Sequence, residues 1–288
     1  MAAPSESLFS QWLAAGSANA LTSALFNPID AAKTRIQTST QPESLLRTLR
    51  AMAGASTVSA AVRGLFFPGL PASMIREMLS SGPRAGFYVP VRDAYLGALG
   101  GAGGDAGAKV LAAMTTGSLG GLIANPIDVV KVRLMIDPTR YSTTLGALRD
   151  IGRDEGVGGL YRGLAPSTLR ACFIAAGELA TYDIAKSNLK ERLGSGEGMW
   201  LHVAASLITG VVAAFVAAPF DLIKARAMAS TGPSKSIVSV VRQLAREGGF
   251  PGSLFRGVTP AYLRLGPHAL VCFPLFEQIR GLFGLGYL

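Results

Sequence analysis

Three stretches of the chain run without a charged residue: Ser7 to Ile29, Val110 to Ile127 and Met199 to Phe220. Each is about 18 residues or longer, and at 1.5 Å per residue an apolar helix of that length crosses a roughly 30 Å hydrocarbon layer. Segments near 71–98, 162–190 and 258–286 are apolar but broken by charge, and each follows a clean span at a constant offset. This alternation predicts two spanning helices per unit and six in all. Within each pair lies a short amphipathic stretch, at about 43–54, 142–152 and 235–246. Leu145, Leu148 and Ile151 share one helical face there, as in a helix lying on a membrane surface.

The clean spans end in the same words. NPIDAAKTR from Asn27, NPIDVVKVR from Asn125 and APFDLIKAR from Ala218 share Pro-x-Asp-x-x-Lys-x-Arg, with Pro28, Pro126 and Pro219 spaced 98 and 93 residues apart. Self-similarity at a fixed period marks a repeat architecture, here with units 1–97, 98–193 and 194–288. Proline inside a helix removes a backbone hydrogen bond, so three equivalent kinks are expected at Pro28, Pro126 and Pro219. A second echo is FYVPVR from Phe87, TYDIAK from Thr181 and LFEQIR from Leu275. It places Tyr88, Tyr182 and Phe276 at 94-residue intervals, and Arg92, Lys186 and Arg280 likewise. The acid of this motif is Asp183 in the second unit and Glu277 in the third, but Val89 in the first. Thirteen residues before each acid position stand Arg76, Arg170 and Arg264.

Composition supports a membrane setting. Hydrophobic residues make up 49% of the chain and charged residues 16%, and the mean hydropathy is +0.37, whereas soluble domains carry about 25% charge. The net charge of +9 suits an anionic solute or lipid. Nucleic acid fits the charge but not the apolar spans. The glycine-rich run at 97–107 lacks the strand and lysine of a phosphate loop and reads as a linker between repeats. Cys172 and Cys272 have no metal-ligand or disulfide spacing, so no enzyme chemistry and no metal is expected. The first basic residue is Lys33, so targeting information is expected to be internal rather than in a cleaved leader.

Charged groups inside a bilayer are costly and face partners or a water-filled cavity. Asp30, Asp128 and Asp221 can pair with Lys33, Lys131 and Lys224 across helices, closing one mouth of a cavity on the repeat axis. The acids and bases of the even helices can close the other, incompletely because of Val89. Arg76, Arg170 and Arg264 then lie mid-membrane, roughly 20 Å from the even-helix gate by helical rise. Guanidinium forks suit carboxylate and phosphate, so the expected partner is an anion. Arg84 adds a further contact, and Glu178 a countercharge or protonatable group. Gly117 and Gly210 are expected to let helices approach closely.

The triple Pro-x-Asp-x-x-Lys-x-Arg, the Glu-Gly-x4-Tyr-Arg-Gly from Glu155 and the Tyr-Asp-x-x-Lys from Tyr182 resemble the mitochondrial carrier signature across essentially the whole chain. The resemblance implies an all-α fold: six transmembrane helices in three tandem repeats with pseudo-threefold symmetry, and three short matrix-side helices. It implies the inner mitochondrial membrane and alternating access. The matrix gate would be Asp30, Lys33, Asp128, Lys131, Asp221 and Lys224. The cytoplasmic gate would be Asp183 with Lys186 and Glu277 with Arg280, flanked by Tyr88, Arg92, Tyr182 and Phe276. It further implies cardiolipin near Gly156, Tyr161, Arg162 and Gly163, and near Phe255, Arg256 and Gly257. RLGPH from Arg264 and FEQIR from Phe276 resemble oxoglutarate and dicarboxylate carriers, while ELATYD from Glu178 resembles the uncoupling proteins. Arg76, Arg84, Arg170 and Arg264 match the substrate-binding arginines of that combined subfamily. Exchange of C4 or C5 dicarboxylates, or of phosphate, is therefore expected, with regulated proton leak as the competing reading. The symmetry can close the pathway within one chain, so a monomer is expected.

Overall fold

The computed structural model describes residues 8–39, 43–54, 58–99, 104–141, 143–193, 199–231, 237–248 and 252–255, together with Val271, Leu275, Gln278 and Ile279. These residues form helices α1 (Leu8–Thr38), α2 (Leu45–Ala53), α3 (Val58–Phe66), α4 (Leu70–Leu99) and α5 (Gly104–Ile136). They continue with α6 (Thr144–Leu160), α7 (Leu164–Leu193), α8 (Met199–Ala229) and α9 (Ile237–Gly248), then a 3₁₀ turn at Gly252–Phe255. The second spanning helix of the third repeat lies almost wholly outside the described residues.

The long helices α1, α5 and α8 are the clean spans, each carrying its motif proline in its interior. All three continue as helix through that proline. They touch one another pairwise, while α4 packs on α1 and α5, and α7 on α5 and α8. This is the neighbour pattern of a threefold ring. By length and apolar composition, the stretches Val58–Ala98, Gly107–Ile136 and Ile208–Ala229 can cross a membrane, the first interrupted at residues 67–69 between α3 and α4. Helix α1 has the length, at 31 residues, but is diluted by polar residues. Several are satisfied internally: Thr22 Oγ1 donates to Ala18 O at 2.8 Å, and Trp12 Nε1 to Met78 O at 2.7 Å. Bulky apolar residues such as Leu25, Ile123, Phe173 and Phe215 stand exposed, the surface that a lipid-facing bundle presents.

Each expected surface helix is present. Ser44 caps α2 by accepting from Arg47 N at 3.4 Å, and Thr143 caps α6 by accepting from Gly146 N at 3.1 Å. Met52 of α2 packs near Ala31 and Ala32 of α1, Ala147 and Ile151 of α6 near Val129 and Val130 of α5, and Val240 and Leu244 of α9 near Leu222 and Ile223 of α8. The core thus gathers at the proline end of the odd helices. Helix α3 was not foreseen from the sequence pattern. Helix α6 breaks at Gly156, whose φ of +67° favours glycine.

The turns entering α4 and α7 are built alike. Gly69 and Gly163 hold φ of +67° and +76°, and Pro71 and Pro166 fall in the first helical turn, where the missing N–H has no intrahelical partner to lose. A Cβ on Gly69 would lie 3.1 Å from Met135 Cγ, and one on Gly163 2.9 Å from Met228 Cγ. Asn27, just before its motif proline, donates to Phe66 O at 2.7 Å and Pro68 O at 3.0 Å; Asn125 donates likewise to Leu160 O at 2.9 Å and Arg162 O at 3.2 Å. Helices α1 and α5 are thereby tied to the turns that start α4 and α7.

Candidate functional site

The motif carboxylates and lysines meet in a closed ring. Lys33 of α1 donates to Asp221 of α8 at 2.8 Å, Lys224 of α8 to Asp128 of α5 at 2.7 Å, and Lys131 of α5 to Asp30 of α1 at 3.1 Å. The three-residue spacing of Asp and Lys on each helix lets one carboxylate turn toward one neighbour and one ammonium toward the other. Asp30, Asp128 and Asp221 are 4%, 9% and 14% exposed at the side chain, so this ring closes the bundle at that end. Breaking a buried pair by removing one partner typically costs about 3–5 kcal/mol.

Arg76 and Arg170 bind the same carboxylates from the cavity side. Arg76 Nε lies 2.8 Å from Asp128 Oδ1, and Arg170 Nε 2.5 Å from Asp221 Oδ1. Both arginines line a cavity of about 610 Å³, together with Ser80, Lys109, Tyr182 and Thr209. That volume falls in the range of small-molecule sites, roughly 300–1,000 Å³. Gly117 lies against Ala171, with its Cβ position 3.7 Å from that of Ala171, whereas among the described residues nothing stands within 4 Å of the Cβ position of Gly210. Gly210 lines the cavity wall.

The last arginine of each motif forms a second ring that was written in the sequence but given no role. Arg35 Nε donates to Met135 O at 2.8 Å, Arg133 Nε to Met228 O at 3.2 Å, and Arg226 Nε to Gln37 O at 2.7 Å. Each guanidinium thus satisfies carbonyls at the C-terminus of the next odd helix, where backbone acceptors lack partners and positive charge is favoured. This ring runs α1 to α5 to α8 to α1, opposite in sense to the lysine ring. In the second repeat it is reinforced: Arg133 forks onto Glu155 at 2.6 and 2.8 Å. Hydrogen bonding from Arg133 holds the Glu155 carboxyl below its ordinary value.

The other expected residues fall out unevenly. Arg162 is buried, 2.8 Å from Glu155, and also donates to Ser230 O. Its guanidinium is thus committed inside the protein, while Tyr161 beside it is exposed. Arg92 donates to Asp93 on its own helix at 2.7 and 2.9 Å. That acid stands in the first repeat alone, so the repeat pattern does not announce it. Tyr88 is half-buried, Tyr182 lines the cavity, and Phe255 ends the 3₁₀ turn. The side chains of Arg84, Glu178 and Asp183, and residues Arg256, Gly257, Arg264, Phe276, Glu277 and Arg280, lie outside the described residues.

Comparison with known proteins points the same way. The family model "Mitochondrial carrier protein" matches residues 4–98, 104–193 and 195–286. The chain is 33% identical to "Mitochondrial uncoupling protein 1" of Arabidopsis thaliana over 88% of this chain and 86% of that one. It is 31% identical to "Mitochondrial citrate transporter F" of Aspergillus niger over 99% and 93%, and 31% identical to "Putative mitochondrial transporter UCP3" of Homo sapiens over 94% and 91%. Triplicated motif, threefold helix ring and family match agree: the chain belongs to the mitochondrial carrier family, and is a multi-pass transporter of the mitochondrial inner membrane.

Proposed function

We propose that the protein exchanges C4 or C5 dicarboxylates, such as malate or oxoglutarate, for one another or for phosphate, by alternating access. The observation carrying this reading is that Arg76 and Arg170 face one cavity and hold Asp128 and Asp221 of the closing ring. A dianion entering the cavity offers the guanidiniums carboxylates of its own. Asp128 and Asp221 then lose one of their two cations, and the ring through Lys224 and Lys33 weakens. Binding in the cavity and opening of the ring are coupled, and only a solute with differential affinity for the open and closed states shifts that balance. With no anion present the ring stays shut, which makes transport an exchange.

In this reading Asp30, Lys33, Asp128, Lys131, Asp221 and Lys224 form the matrix gate. Tyr88, Arg92, Tyr182, Asp183, Lys186, Phe276, Glu277 and Arg280 form the cytoplasmic one. Arg264, Arg84 and Glu178 complete the anion site, and cardiolipin sits at the turns after α6 and α9. The second reading is regulated proton leak, favoured by the similarity to "Mitochondrial uncoupling protein 1" of Arabidopsis thaliana. Reconstitution in liposomes separates the two. Robust malate exchange without fatty-acid-dependent proton conductance supports the exchanger, whereas a nucleotide-sensitive leak without exchange supports the second reading.

A further inference from the structure

The first repeat carries a buried carboxylate that its counterparts lack. Glu77 follows Arg76 in α4 and is 8% exposed. Its Oε1 accepts from Arg76 Nη1 at 2.6 Å and from Ser23 Oγ of α1 at 3.2 Å. This contact is one rung of a polar ladder between α1 and α4. Asn19 donates to Ser81 at 3.5 Å on one side, and Ser73 donates to Asn27 at 3.1 Å on the other. Successive rungs are one helical turn apart.

The repeats themselves show that packing does not require this acid. Carried over by the repeat offsets, Ser23 and Glu77 become Gly121 and Ala171 in the second unit, and Ala214 and Leu265 in the third. Arg170 is thus followed by Ala171 where Arg76 is followed by Glu77. An ionised group within the membrane is costly and ordinarily marks function. Here it gives one arginine of the cavity a fixed counter-anion on its own helix, in addition to Asp128.

We infer that Glu77 sets the charge preference of the anion site, favouring dianions over trianions. The inference rests on the dicarboxylate reading above. Among the described residues that line the cavity, Arg76, Lys109 and Arg170 contribute three positive charges, and Asp128 and Lys224 cancel. Glu77 leaves a net charge of two to be matched by the solute. A third carboxylate on the solute would be left without a cation of its own and would meet Glu77 as a like charge, which at short range in a poorly solvated cavity is strongly disfavoured.

The experiment is uptake of labelled malate and labelled citrate by liposomes containing the full-length protein, each against internal malate, with thermal unfolding of each variant in detergent as a folding control. Glu77→Gln is expected to lower the malate-to-citrate ratio about tenfold, mainly through a gain in citrate uptake. Glu77→Asp is expected to keep the preference for malate. Should Glu77→Gln fail to fold, the double change Ser23→Gly with Glu77→Ala, which supplies the residue types found at 121 and 171, decides the matter with the same expected shift. An unchanged ratio in the folded neutral variant overturns the inference while leaving the dicarboxylate reading intact, as does an equal shift in Glu77→Asp. Wild-type protein that exchanges neither anion overturns both.

Discussion

Asp128 accepts from Lys224 at 2.7 Å and from Arg76 at 2.8 Å, so one carboxylate joins the closing ring to the cavity wall. Lys224→Ala and Asp128→Ala are each expected to destabilise the ring-closed protein by about 3 kcal/mol. Because they remove the same contact, the double variant should lose less than the sum, by at least about 1 kcal/mol. Thermal unfolding in detergent measures this cycle, and strict additivity would show that the pair carries no interaction energy. Glu155 offers a test by pH. Arg133 and Arg162 hold its carboxyl below the ordinary value of 4.5, so its contribution is full above that value. It is lost as pH falls through the lowered folded-state value. The stability gap between wild type and Glu155→Gln should therefore be flat from pH 7 to about 5 and close under more acid conditions. A gap that widens on acidification would contradict the ion pair.

At the scale of elements, the turns entering the even helices decide how the repeats dock. Gly163 holds φ of +76° with Met228 Cγ 2.9 Å from its Cβ position, whereas Gly156 holds φ of +67° with no described atom within 4 Å of its Cβ position. Gly156→Ala should cost about 1–3 kcal/mol from backbone strain alone, and Gly163→Ala should add a packing penalty to its own strain, because Met228 must also give way. Equal thermal shifts for the two would show that the turn does not bear on the neighbouring helix. The elements also show what could be read from the chain. The long helices and amphipathic surface helices were legible because hydrophobic periodicity and charge-free length are local properties. Helix α3 was not, because nine residues between two turns carry too little pattern. The ring aspartates and lysines were legible because they recur in threes. Glu77 and Asp93 were not, because each occurs in one repeat only. The second arginine ring stood in the motif three times, yet its acceptors are backbone carbonyls, which no side-chain pattern announces.

Across the whole molecule, the two rings run in opposite senses through the same three helices. Lysine side chains pull each odd helix toward one neighbour and arginine side chains toward the other, so the proline ends close as a unit rather than pair by pair. Among the described residues, the second repeat adds Glu155 and Arg162 to its latch, and the first sets Glu77 against the cavity arginine Arg76. The central claim is that the arginines behind this ring bind the transported anion and couple it to opening. It is tested most directly by exchange of labelled malate against internal malate in liposomes, comparing wild type with Arg170→Ala at matched incorporation. Abolished exchange in a variant that still unfolds cooperatively is the predicted result. Undiminished malate exchange in Arg170→Ala would contradict the account.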